Sequence, residues 1–192
     1  VLLADGRLEE ALVEYQRAVQ LDPYFSRVAD NYSAALILAG RPTQALAEAE
    51  RALTLQPGNK QAQFMRAMAP IGLGRGAEAA ALARVGGSLY SRDAGAVFAL
   101  TGNRAAAEQI LTQAGPPVSR LRALAALGRY EDCIVAIQGG AVTANGMEFL
   151  LFDSAYDPIR KDPRFQRELA ESGAAEAHAR AQAWRAAQAK GR

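Results

Sequence analysis

ADGRLEEALVEYQRAVQLDP at residues 4–23 and LAGRPTQALAEAERALTLQP at residues 38–57 are two versions of one pattern set 34 residues apart. Gly6, Gly40 and Gly74 keep that interval, and so do Ala11, Ala45 and Ala79, five residues beyond each glycine. Ala18 aligns with Ala52, Leu21 with Leu55, and Pro23 with Pro57. A fixed period of this length marks helix-turn-helix units that cannot bury their apolar faces alone and therefore stack.

Each column has a steric reason. Glycine ends the first helix of a unit because it enters the left-handed region without a Cβ penalty. The alanine that follows lies about one turn into the second helix and lets two backbones approach closely. Ser33 and Ala67, seven residues before Gly40 and Gly74, do the same from the first helix. Tyr15 is the large residue expected to fill the groove between units, and Ala49 and Ala83 replace it later, which predicts shallower packing there. Asp22-Pro23 and Gln56-Pro57 close second helices, since proline lacks the N–H and clashes with the preceding turn.

These columns resemble the tetratricopeptide repeat. The resemblance implies an all-α fold, a right-handed superhelix of antiparallel helix pairs that binds other proteins or peptides without catalysis. Beyond Gly86 the rhythm shortens: Gly102-Asn103 and Gly128-Arg129 read as the same turns, with Ala107 and Cys133 five residues after each glycine. Helices are predicted at 7–20, 25–39, 42–54, 59–73, 76–85, 89–100, 104–113, 118–127 and 130–138, with a bend of the array near residue 86. This divides the chain into a repeat array over 1–140 and a capping segment with a basic, alanine-rich tail over 141–192. Pro70 falls inside the helix 59–73, where it either kinks the helix at about 3 kcal/mol or ends it at Ala69.

Half of the residues are apolar but only 7% are aromatic, which suits close helix packing around small side chains. A net charge of +2 gives no general reason to expect nucleic acid or an anionic membrane as partner. No run approaches the roughly eighteen apolar residues of a membrane span, and VLLADGRLEE lacks signal-peptide order. Counting back from Gly6, a full first unit needs roughly nine residues before Val1, so the chain reads as part of a longer protein. Its compartment stays open: a cytoplasmic site is favoured, and a periplasmic one requires an upstream signal or anchor.

Asp157-Pro158 and Asp162-Pro163 each place an aspartate cap before a proline, predicting two short helical starts. Phe149, Leu150, Leu151, Phe152, Tyr156, Ile159, Phe165 and Leu169 are the densest large apolar set in the chain, expected to cover the last repeat. FDSAYDPIRKDPRFQREL, residues 152–169, resembles a tail that follows such arrays in multidomain bacterial regulators, including winged-helix transcriptional regulators and adenylate cyclases. That resemblance implies a sensory or regulatory module of a larger protein. A final helix over 174–189 carries Arg180, Trp184 and Arg185 and is expected to dock back on the array or engage a second copy in a homo-oligomeric scaffold.

The family resemblance places first-helix residues on the concave wall: Arg27, Asp30, Asn31, Ala34 and Ile37 in the second unit, and Gln61, Phe64, Met65, Met68 and Ile71 in the third. The third-unit set is an apolar stripe. It reads either as packing between repeats or as a groove for an amphipathic or extended peptide, with methionines adapting to the occupant. A carboxylate clamp like that of chaperone-binding relatives matches only at Asn31. Gln61 occupies the usual lysine column, and Arg66 lies one residue past the arginine column.

Neither catalysis nor a cofactor is expected. His178 and Cys133 are the sole residues of their types, and Cys133 sits in a packing column, so they are not expected to form a nucleophilic pair. Asp153, Asp157, Asp162 and Glu168 lack calcium-loop spacing and are offset by Arg160, Lys161, Arg164 and Arg167, so no metal site is expected. GLGRG at 72–76 follows no strand and precedes no Lys-Ser/Thr, and reads as a turn rather than a phosphate loop.

Overall fold

The computed structural model describes residues 2–85, 91–112, 117–141 and 147–190, and among them every regular element is helical. The array comprises α1 (Leu8–Leu21), α2 (Ser26–Leu38), α3 (Pro42–Leu55), α4 (Lys60–Gly72), α5 (Gly76–Val85), α6 (Ser91–Leu100), α7 (Arg104–Leu111), α8 (Pro117–Ala126) and α9 (Tyr130–Ala136), the last followed by a wide turn, Ile137–Ala141, kinked at Gly140 with φ 77°. After it come α10 (Met147–Phe152), a 3-10 turn (Ser154–Tyr156), α11 (Pro163–Glu171) and α12 (Ala175–Lys190). Chain neighbours pack as hairpins, and α2, α4, α6 and α8 also touch in succession, so the first helices of the pairs share one wall.

The turn between the paired helices is built the same way each time. Gly40, Gly74, Gly102 and Gly128 have φ of 69°, 72°, 82° and 74°. The residue after each donates its N–H to the carbonyl five back, as Arg41 does to Leu36 and Arg129 to Leu124, both at 2.9 Å. This double closure satisfies the helix-end carbonyls and requires the left-handed residue. The close-packing columns also persist into the shortened repeats. Ser33 Oγ donates to Ala45 O at 2.7 Å, and Cys133 Sγ donates to Leu121 O at 3.5 Å, the same two columns with donor and acceptor exchanged. Gly95 stands in the earlier column, where an added Cβ would lie 3.2 Å from Ile110 and 3.3 Å from Ala123.

Helix bounds follow the sequence expectations closely wherever the chain is described; the bend expected near residue 86 lies outside the described residues. Pro70 neither ends α4 nor interrupts it: the helix runs on to Gly72, with Pro70 fully buried. Of the two aspartate-proline starts only Asp162-Pro163 opens a helix, with Asp162 Oδ1 accepting from Arg164 N at 2.8 Å. Asp157, expected as a helix cap, caps none. It ends the 3-10 turn capped by Asp153 and pairs with Arg160 and Arg185, because two guanidiniums compete for its carboxylate.

The C-terminal segment does more than cover the last hairpin. α11 packs on Ile137–Ala141, and Arg164 holds Glu131 of α9 through two bonds of 2.6 and 2.9 Å. α12 then returns to the start of the chain. Arg180 Nε donates to Asp5 O at 2.7 Å, and Trp184 Nε1 donates to Glu9 Oε1 at 3.2 Å. Glu9 is held from the other side by Arg41 at 2.9 Å. At Gly6 (φ 75°) the α12 backbone is so near that a Cβ would lie 2.1 Å from Ala177 O. Docking back on the array is therefore the path the tail takes.

Candidate interaction surface

Of the ten residues assigned to the concave wall, Ile37 and Ile71 are half-buried, and the other eight divide into two groups. Arg27, Asn31 and Gln61 are exposed and surround Asp30 in an open cleft of about 340 Å³ that Gln56, Gly58, Asn59 and Lys60 complete. Ala34, Phe64, Met65 and Met68 are buried in the core, so on the apolar stripe the structure gives packing between repeats.

Asn59 organises the cleft. As the N-cap of α4 its Oδ1 accepts from Ala62 N at 3.0 Å, which orients its Nδ2 toward Asp30 Oδ2 at 2.6 Å and Ser26 Oγ at 3.0 Å. Ser26 Oγ donates onward to Ala52 O at 3.1 Å. One polar network thus ties α2, α3 and α4 together beneath the cleft. Burial pushes the Asp30 carboxyl above its ordinary range, against the lowering effects of the Asn59 hydrogen bond and the Arg27 charge. Asn31, Gln56 and Gln61 each present a carboxamide with both a donor and an acceptor. Shortly before Arg27 in the chain, Leu21, Tyr24 and Phe25 are 86%, 82% and 51% exposed at the α1–α2 turn. Arg51 Nη1 pins that turn by donating to Pro23 O at 2.7 Å.

On the apolar side, the Arg122 guanidinium of α8 lies over the rings of Phe64 and Phe149 at 5.8 and 5.2 Å. Its Nε is 2.6 Å from Asp153 Oδ2, an ion pair by proximity rather than an aligned hydrogen bond. Phe149 belongs to α10, so the C-terminal segment reaches the wall that α4 helps to form. Ser154, Ala155 and Pro158 share a cavity of about 400 Å³ with Ile37, Met68 and Ile71. Phe152 of α10 meets Trp184 of α12 edge to face at 5.6 Å. Sequence reasoning missed Asn59 and Arg122. The first carried a legible signal, a capping residue at a predicted helix start, whereas nothing local to Arg122 announces partners 58 positions before it and 27 after it.

Cys133 is buried, and desolvation pushes its thiol up to about 12, so it is held protonated as a packing residue. His178 lies edge to face on Phe165 at 6.0 Å. Its imidazole is held below its ordinary value, first by burial and then by the charges of Arg160 and Arg185. The unfolded chain therefore takes up a proton that the folded site refuses. His178 supports stability fully above its unfolded value of about 6.5, and that support is lost as pH falls below it. Melting temperatures followed across this range should drop less on acidification in His178→Gln than in the parent; equal slopes would contradict the assignment. Among the described residues no cluster of three His, Cys, Asp or Glu could hold a metal, and no helix is long and apolar enough to cross a membrane.

No protein-family model matches the chain, and no curated protein matches it. What the surface can do therefore rests on its geometry.

Proposed function

We propose that the chain is a noncatalytic protein-interaction module of the tetratricopeptide type, a right-handed superhelix that binds an extended peptide segment of a partner in the Arg27–Asp30–Asn31–Gln61 cleft. The observation that carries this is the cleft itself, with exposed carboxamides grouped around the fixed Asp30–Asn59 network. A peptide backbone offers alternating N–H and C=O groups, and side-chain carboxamides match both. Tyr24 and Phe25, exposed close by in the chain, supply the apolar contact that polar pairing alone lacks.

A second reading, the regulatory region of a larger bacterial protein, is favoured by the C-terminal segment lying against the array, since a segment so placed can report on what the array binds.

Selection of displayed peptides on the intact chain, followed by affinity measurement, tests the first reading. Selected peptides should lose about tenfold in affinity for Asn31→Ala with Gln61→Ala, as expected for two backbone hydrogen bonds. Peptides with a free or amidated C-terminus should bind alike, because only Asn31 matches the clamp and its basic columns are unfilled. Unchanged affinity in the double variant would refute the cleft.

A further inference from the structure

A further cavity of about 620 Å³ opens between α12 and the turn at 157–161. His178, Gln182 and Arg185, spaced four and three apart, line it from one face of α12. Asp157, Arg160, Lys161 and Gln166 line it from the other side. The volume is that of a small-molecule site.

Its charge is unbalanced. Arg160, Lys161 and Arg185 line it together with the one carboxylate of Asp157. Arg160 is fully engaged, donating to Leu150 O at 2.9 and 3.2 Å and also to Asp153 O and Asp157. Arg185 donates to Phe152 O at 2.6 Å and to Asp157. Both guanidiniums are thus fixed in place. Lys161 is exposed and forms no ion pair among the described residues. His178, 8% exposed, and Gln182 each carry a buried side-chain nitrogen without a hydrogen-bond partner. Unpaired buried polar atoms are costly, and here two of them border a cavity with excess positive charge.

We propose that this cavity binds a small phosphate-bearing solute, inorganic phosphate or a phosphomonoester, with Lys161, Gln182 and His178 as its ligands and Arg160 and Arg185 supplying the field. Phosphate oxygens accept from all three ligand groups, and ammonium and guanidinium groups are the common phosphate partners. Burial first, and then the charges of Arg160 and Arg185, hold the His178 imidazole below its ordinary value. An anion that neutralises the field raises that value, and by linkage the anion binds more tightly as pH falls through it.

His178 is the sole histidine, so its imidazole resonances report on this cavity alone. The intact chain would be titrated in separate arms with inorganic phosphate, phosphoethanolamine, and sodium chloride at matched ionic strength, following the His178 titration by NMR. The expected result is a saturable upward shift with phosphate or the ester, absent with chloride, and weakened about tenfold in Lys161→Glu. Tighter binding of phosphoethanolamine identifies an ester as occupant, and equal or weaker binding identifies free phosphate. Lys161 is exposed, so its replacement leaves the packing intact. A shift that fails to saturate, follows chloride, or keeps the parent affinity in Lys161→Glu would overturn the proposal. None of these readouts involves the peptide cleft, so the two readings stand or fall separately.

Discussion

Replacing Arg160 with alanine is expected to release the C-terminal segment from the array and to lower stability by about 3–5 kcal/mol. Arg160 is 4% exposed, and burial with the neighbouring Arg185 lowers its guanidinium to about 10, still charged at neutral pH. Its donors satisfy the carbonyls of Leu150 and Asp153 and the carboxylate of Asp157, while its own carbonyl accepts from Gln166 Nε2. Removing the side chain strands the buried Leu150 carbonyl at about 1–3 kcal/mol and leaves the Asp153 carbonyl with Tyr156 N alone. Asp157 then keeps only Arg185, which anchors α12. Thermal unfolding should show the loss, and hydrogen exchange should show it concentrated in residues 147–190. Lysine should restore less than half of the stability, since one ammonium cannot span carbonyls that a planar fork reaches together. A fall below about 1 kcal/mol, or exchange that rises evenly over the chain, would contradict this account.

Phe64→Ala is expected to cost about 3–5 kcal/mol, as large-to-small changes in a well-packed core do. The ring is 7% exposed and lies beneath the Arg122 guanidinium, which also faces Phe149. Its loss leaves a cavity and strips one aromatic face from a largely buried cation. Phe64→Leu should recover most of the loss. The peptide affinity of the folded fraction should be unchanged in both variants, because Phe64 does not line the polar cleft. Weakened peptide capture at full stability would instead restore the apolar groove as the binding surface.

The helical hairpins were legible because their determinants are local. Gly40, Gly74, Gly102 and Gly128 occupy the turns read for them, and Ala45, Ala79, Ala107 and Cys133 are fully buried in the column read for close packing. A left-handed cap and a small contact residue leave their signature within one or two turns of sequence. Pro70 resisted such reading, since the competition between its missing hydrogen bond and the packing of a fully buried ring is settled by neighbours. Half of the candidate site was legible for a similar reason. Arg27, Asn31 and Gln61 are polar residues on a wall whose direction follows from repeat position, whereas an apolar stripe such as Phe64, Met65 and Met68 looks the same whether repeats or a ligand cover it.

By itself, then, the sequence determined an all-helical chain of stacked hairpins, their turns and most of their bounds, since helix caps and close-packing columns act over a few residues. Only the tertiary structure decided the course of the C-terminal segment. Trp184 meets Glu9 and Arg180 meets Asp5 across 175 positions of chain, Arg122 links Phe64 to Phe149, and Asp157 serves two arginines instead of capping a helix. Such pairings are chosen by the shape and charge of surfaces that exist only after the hairpins have stacked, and no local pattern encodes them.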